Sequence, residues 1–280
     1  MNQVAQPVTR RVALALRRVI ARHEDALGTG ALVFAVSGGP DSMGMLLACR
    51  DIGIKLRSRV VVAHFSHGLR PTSDQRECRL VERAAKALGV RFVAGQDQVR
   101  APEADARESR YRFLSAVASN LGTAVVLTAH TEDDQAETVL LKLTRGAGLR
   151  GAGAIRELST RFAGNNEIVL LRPLLSMNRG DMEAVCREAR ISPARDASNR
   201  RLKYSRNRIR HRVLGELERI NPKVRSLLAR FADSASADDE FLRQLAAQSV
   251  SDREERSPDA VRWSKRTLRA LPHPLLIRVL

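Results

Sequence analysis

Two short acidic stretches carry residues whose types and spacing can do chemistry. The first is Ser37-Gly38-Gly39-Pro40-Asp41-Ser42, set between the apolar run 31–36 and the helix-like "MGMLLACR". Glycines let a backbone approach a ligand closely, and proline suits the first turn of a helix, where its missing N–H is not needed. Free N–H groups and the positive end of that helix then favour an anion such as a phosphate. The stretch has neither the Gly-Lys-Ser/Thr ending of a Walker loop nor the spacing G-x-G-x-x-G. In place of a lysine it carries Asp41. A carboxylate beside a polyphosphate repels it unless a divalent cation lies between them, so a magnesium-dependent nucleotide site is expected, with Asp41 on the metal. The plain alternative is an ordinary strand-to-helix turn in which Asp41 stabilises the helix N terminus.

The second stretch is "AHTEDDQAETVLLKL", which places Asp133, Asp134 and Glu137 in the first turn and a half of a helix. Spacings of three and four residues put Glu137 beside both aspartates. Acids at a helix N terminus are common because the macrodipole favours them. Here they follow a buried strand in a sheet whose first loop calls for a cation, so the cluster reads as a site for a cation and an amine, with Asp133 beside Asp41 at the metal.

The elements that must position these residues follow from periodicity. "RVVVAHF", "VRFVAG", "TAVVLTAH" and "EIVLLRPLL" read as further strands. "QRECRLVERAAKALG", "ADARESRYRFLSAVASNLG", "EDDQAETVLLKLTRG" and "NRGDMEAVCREARI" read as helices between and after them. This alternation predicts an α/β fold, a doubly wound parallel sheet with helices on both faces. Sites in such sheets lie at the carboxyl ends of strands, where Ser37–Ser42, His64 and His67, His130–Glu137 and Arg172 all fall. An amphipathic helix in residues 1–28 is expected to pack on the core, 29–215 to form the nucleotide domain, and 216–280 a smaller helical domain. The acidic patch "DSASADDE" reads as a loop or helix start, and the apolar ending "LPHPLLIRVL" as a boundary within a longer chain.

A chain of 280 residues with formal net charge +17 and pI near 11.2 points to a polyanionic partner, nucleic acid ahead of a membrane surface. Arginine dominates the charge and aromatics are few, which favours backbone and shape recognition of a structured RNA. From Arg195 to Arg212 the stretch "RDASNRRLKYSRNRIRHR" holds eight Lys and Arg against one Asp, so it hardly uses the sign-mixing of a solvated helix face and reads as a phosphate contact. Cys49, Cys78 and Cys186 are far apart, in keeping with a reduced cytoplasm and no structural zinc. No stretch is apolar enough to cross a membrane, and the core of "TRRVALALRRVIARH" is too short for a secretory signal; an organellar transit peptide is the alternative.

"SGGPDS" resembles the PP-loop of the ATP pyrophosphatases, which cleave ATP between its α and β phosphates and adenylate a substrate. Together with "HGLR" (67–70), "RESRYRFL" (107–114), "DDQAET", "RPLL" (172–175) and "DASNRRLKYSRNRIRH", the series over roughly 31–214 is similar to the tRNA(Ile)-lysidine synthetase family. Two positions depart from that pattern: Thr131, where a second histidine is frequent, and Arg195, where an acid is usual. The resemblance implies adenylation of the 2-carbonyl of the wobble cytidine in the CAU anticodon of tRNA(Ile), followed by displacement of AMP by the ε-amine of free L-lysine. ATP and magnesium are the implied cofactors. Ser37, Gly38, Gly39, Pro40, Asp41 and Ser42 would bind the pyrophosphate end of ATP, His67 would also bind the nucleotide, and Arg110 would contact the α-phosphate or the adenylate. Asp134, Glu137 and Asn199 would hold lysine, while Arg206, Arg208 and Arg210 would face RNA. Asp41, Asp134 and Arg110 form the expected catalytic set. The oligomeric state stays open, a homodimer among the options. The rival readings are a PP-loop tRNA thiolase, which commonly uses paired cysteines or an iron–sulfur cluster, a small-molecule adenylating ligase, and a non-catalytic RNA-binding module.

Overall fold

In the computed structural model the described residues are 7–68, 71–96, 103–164, 166–194, 204–251, 254–257 and 260–280. One sheet of six strands has the order β3-β2-β1-β4-β6-β5. β1 (Leu32–Ala35), β2 (Val60–Ser66), β3 (Arg91–Gln96), β4 (Val125–Thr128) and β6 (Asn166–Leu171) run parallel, with Leu32 opposite Val60 and Val33 opposite Val126. β5 (Leu158–Ala163) is antiparallel to β6. That edge strand lay outside the sequence reading, although "LSTRFAGNNEIVL" carries a Gly-Asn pair between two apolar-containing runs, a hairpin signal.

The chain lays β1, β2 and β3 down in one direction, then returns to place β4 on the free side of β1. The strand order therefore reverses between β1 and β4, and the crevice at their carboxyl ends is where such sheets bind ligands. Both acidic stretches follow these two strands, so the topology alone makes them neighbours.

β1 and β4 are buried on both faces, which explains their unbroken apolar runs. Leu32, Phe34, Val125 and Leu127 pack into one core with α1 (Val8–Arg22), α2 (Pro40–Ala48), α3 (Pro71–Leu88) and α6 (Arg179–Glu188). Val33 and Val126, one residue out of phase, face Tyr111, Leu114 and Val117 of α4 (Glu103–Asn120) in the second core. α5 (Glu132–Leu143) follows β4, and its Ala136 packs on Ile209 and Leu214 of a later helical run. That run is α7 (Ser205–Arg208), a π turn (Ile209–Val213) and α8 (Leu214–Ile220).

α1 buries Val12, Leu16, Val19 and Ile20 at helical spacing and leaves its arginines in solvent. Glu188 ties it down by accepting from the Val8 and Thr9 N–H groups at 2.9 and 3.0 Å and from Thr9 Oγ1 at 2.6 Å. Towards the end of the chain, "DSASADDE" is neither loop nor helix start: it lies inside α9 (Val224–Ser251), which packs against α5 and α10 (His273–Val279). This region also includes a two-stranded antiparallel pair, β7 (Glu254–Ser257) and β8 (Ala260–Trp263), where helix alone was expected. Asp239 in α9 is buried and accepts from Arg278 of α10 at 2.8 Å, with Arg243 at 3.1 Å.

α2 and α6 cross closely enough for α6 to reach the first turn of α2. A Cβ built on Gly44 of α2 would stand 3.0 Å from the Cα, Cβ and Sδ atoms of Met182. Gly44→Val should therefore force the helices apart and cost about 1–3 kcal/mol of stability, as overpacking does. The midpoint of denaturant unfolding measures this; an unchanged midpoint would show that the crossing is not set there.

Candidate active site

The turn after β1 is closed by its own side chains. Ser42 Oγ accepts from the Ser37 N–H at 3.1 Å, donates to the Gly39 carbonyl at 3.1 Å and lies 3.1 Å from Ser37 Oγ. Gly38 has φ +91, a conformation in which a side chain would be strained. No side chain caps α2, so its first N–H groups remain available to an anion.

Asp41 stands in that first turn. Arg179 holds its carboxylate, with Nη2 3.0 Å and Nε 3.3 Å from Oδ2. Burial raises the Asp41 pKa, and Arg179 opposes the rise. Burial would lower the Arg179 pKa, but Asp41 reverses that and raises it.

Asp133, Asp134 and Glu137 of α5 are each engaged. Asp134 Oδ2 accepts from the Thr131 N–H at 3.0 Å, which caps the helix, while Oδ1 accepts from Arg206 Nη2 at 2.7 Å. Burial opposes charge on Asp134, yet His130 and Arg206 outweigh it and hold the carboxyl below its ordinary range. Glu137, with 0% of its surface exposed, accepts from Arg206 Nε at 2.7 Å and from Arg210 Nε and Nη2 at 2.5 and 2.9 Å. Asp133 Oδ2 accepts from the Arg179 backbone N–H at 2.7 Å, and Oδ1 from Arg225 Nη1 at 3.0 Å.

Asp41, Arg179, Asp134, Arg206 and Arg210 line one cavity of about 730 Å³, together with Ser37, Arg110 and His130, while Asp133 and Glu137 stand behind its lining. Arg110 has no carboxylate partner among the described residues; burial lowers its pKa, and it lies 5.5 Å from the Tyr111 ring centroid. A half-buried cation with no acid against it among the described residues suits an incoming anion. His130 bonds Thr128 Oγ1 at 2.9 Å, and burial lowers its pKa to about 4.

The expected site residues fall in different places. Ser37, Gly39, Pro40, Asp41, Ser42, Arg110 and Asp134 line the cavity together. His67 stands outside that lining, edge-on to Phe65 at 5.0 Å. Arg206 and Arg210, expected to face RNA, turn inward onto Asp134 and Glu137, whereas Arg208 is exposed. The reason is electrostatic: the buried Glu137 carboxylate needs positive charge at hand, and α7 brings it. Asn199 lies outside the described residues, as do Arg195 and part of "HGLR". Arg179 and Arg225 were missed. A signal existed for Arg179, an arginine in the first turn of α6, where the macrodipole favours an acid.

Among the described residues no three His, Cys, Asp or Glu side chains gather as a metal cluster. Magnesium, however, is usually held by one or two carboxylates with phosphate and water completing its shell. Asp41 fits that role, since its one strong partner is a side chain that can exchange. Asp133 fits poorly, because a backbone N–H and Arg225 already use both oxygens.

A reversing parallel sheet with a glycine turn after β1 and a polar cavity at its mouth defines the PP-loop class, and residues 9–217 match the family model described as a PP-loop domain. The chain is 35% identical over 256 residues to the tRNA(Ile)-lysidine synthase of Dehalococcoides mccartyi (strain CBDB1), covering 88% of this chain and 54% of that protein. It is 37% identical over 252 residues to that of Salinispora arenicola (strain CNS-205), covering 88% of this chain and 73% of that one. Within the PP-loop class, the chain belongs to the tRNA(Ile)-lysidine synthase family. It spans about half the length of several of the curated relatives it matches. The solved U34-tRNA thiolase NcsA from Methanococcus maripaludis, with its [4Fe-4S] cluster, shares the fold with a TM-score of 0.65 at 14% identity, over 82% of this chain and 79% of that one.

The depressed His130 pKa gives a pH dependence. Its folded value near 4 lies below the ordinary 6.5, so the unfolded chain takes up a proton that the folded one refuses. The stability linked to His130 is full above about pH 6.5 and is lost as pH falls towards 4. His130→Gln should flatten that window. Denaturation midpoints at pH 7.5 and pH 5 test this, and an equal drop in both proteins would remove His130 as its source.

Proposed function

We propose that this chain carries out ATP-dependent lysidine formation: adenylation of the 2-carbonyl oxygen of the wobble cytidine in the CAU anticodon of tRNA(Ile), then attack by free L-lysine. The observation that carries the proposal is the single cavity in which the glycine turn, Arg110 and Asp134 face one another. It joins a place for phosphate to a place for an amine.

Ser37–Ser42 and the open N terminus of α2 take the pyrophosphate end of ATP. Asp41 would hold magnesium, which would supply charge neutralisation for the leaving pyrophosphate. Arg110 stabilises the charge that grows on the α-phosphate as the cytidine oxygen bonds to phosphorus and pyrophosphate departs. A cytosine carbonyl is a poor electrophile at neutral pH, and the adenylate turns its oxygen into a good leaving group. Asp134 and Glu137, with Asn199, position the lysine so that its ε-amine attacks C2 and AMP departs. Arg208 and the neighbouring basic residues meet the RNA backbone. A cytoplasmic enzyme accords with this reading. The thiolase reading finds no support in the cysteines: Cys49 and Cys186 are buried on different helices, and Cys78 lies on a third.

Incubation with tRNA(Ile), ATP and lysine should raise the mass of the wobble nucleoside by the lysine increment, and an unchanged mass would defeat the proposal. Asp41→Asn should abolish magnesium-dependent pyrophosphate release while leaving tRNA affinity nearly intact; retained turnover would take Asp41 out of the nucleotide site. Glu137→Gln keeps the shape but loses a charge-assisted hydrogen bond worth about 1.5–3 kcal/mol. The lysine concentration for half-maximal transfer should rise roughly ten- to a hundredfold, with adenylation less affected. Equal losses in both steps would assign Glu137 to the fold.

A further inference from the structure

The amine pocket is already filled. Arg206 bridges the two carboxylates proposed to hold lysine, with Nη2 at 2.7 Å from Asp134 and Nε at 2.7 Å from Glu137. Arg210 covers the rest of Glu137, which has no exposed surface and does not line the cavity. An ammonium group therefore cannot reach Glu137 until a guanidinium moves. Arg206 is the outer of the two, with 39% of its side chain exposed against 17% for Arg210. The helix that carries it also presents Arg208 and Arg212 to solvent and passes through a π turn at Ile209–Val213. Single π turns of this kind recur at functional sites.

We propose that Arg206 is a built-in stand-in for the substrate ammonium, which closes the amine pocket until bound RNA draws its guanidinium away. The proposal rests on the lysine pocket of the preceding section. Two buried carboxylates cannot be left bare, so some cation must hold them in the empty enzyme. A guanidinium suits that duty and also suits phosphate, which it grips in a bidentate fork. When an RNA phosphate takes Arg206, the lysine ammonium takes the vacated oxygens, while Arg210 stays on Glu137. Charge in the pocket is conserved through the exchange. RNA and lysine then bind with positive coupling, and by linkage each tightens the other by the same factor. Arg206 is thus both an RNA contact, as its basic surroundings suggest, and the gate of the amine site.

The test is equilibrium dialysis of radiolabelled L-lysine against the purified chain without ATP, with and without saturating tRNA(Ile) transcript. For the wild type, tRNA should tighten lysine binding by about tenfold, within the usual range of such couplings. Arg206→Ala should bind lysine without RNA about as tightly as the wild type does with it, and its coupling should fall to near one. Arg206→Lys, which neutralises the pocket but cannot bridge both acids, should fall between them. Circular dichroism confirms that the variants fold, and the wild-type coupling needs no variant at all. If the wild type makes lysidine but its lysine affinity ignores tRNA, the gate is refuted and the proposed reaction stands. Weaker lysine binding by Arg206→Ala without RNA would refute it too. If lysine binds under no condition and no lysidine forms, both proposals fall.

Discussion

Glu137 has no contact with solvent, and a carboxylate in such a place is tolerable only with positive charge against both of its oxygens. That requirement organises the site. α5 brings Asp133, Asp134 and Glu137 to the mouth of the sheet, and each is met by arginines from elements far away in the chain. α6 supplies the Arg179 backbone, the run from α7 supplies Arg206 and Arg210, and α9 supplies Arg225. One acidic helix turn thereby docks three later helices. The same turn is the proposed amine site, so the charges that hold the fold together are those the reaction has to borrow.

The glycine-turn side of the cavity is arranged differently. The turn after β1 is braced by Ser37 and Ser42, α2 has no capping side chain, and Arg110 sits half-buried with no carboxylate partner among the described residues. Asp41 and Glu183 break the pattern, and Arg179 neutralises Asp41. A polyanion entering here meets unpaired donors, while an amine entering at α5 meets paired acids.

Much of this was legible in the sequence because it is local. The buried parallel strands, the glycine turn and the acids at helical spacing each depend on neighbours within a few residues, and each motif was placed at a strand end. What escaped was of two kinds. β5 is a half-exposed edge strand, so its weak alternation lacks the apolar run that announced the others. Arg206 and Arg210 looked like surface charge because composition reports sign but not direction; their targets lie about seventy residues away in sequence.

By itself the sequence determined the class of fold, the two motifs and the chemistry their side chains can perform, since these follow from residue type and short-range periodicity. Tertiary structure decided which charges meet. The reversal of strand order between β1 and β4 put the glycine turn beside the acidic helix, and the close crossing of α2 and α6 put Arg179 on Asp41. The docking of the run from α7 put Arg206 on Asp134 and Glu137. Ion pairs between distant segments depend on where the backbone brings them, and a few ångströms separate a buried partner from a solvated charge. No local pattern encodes that distance.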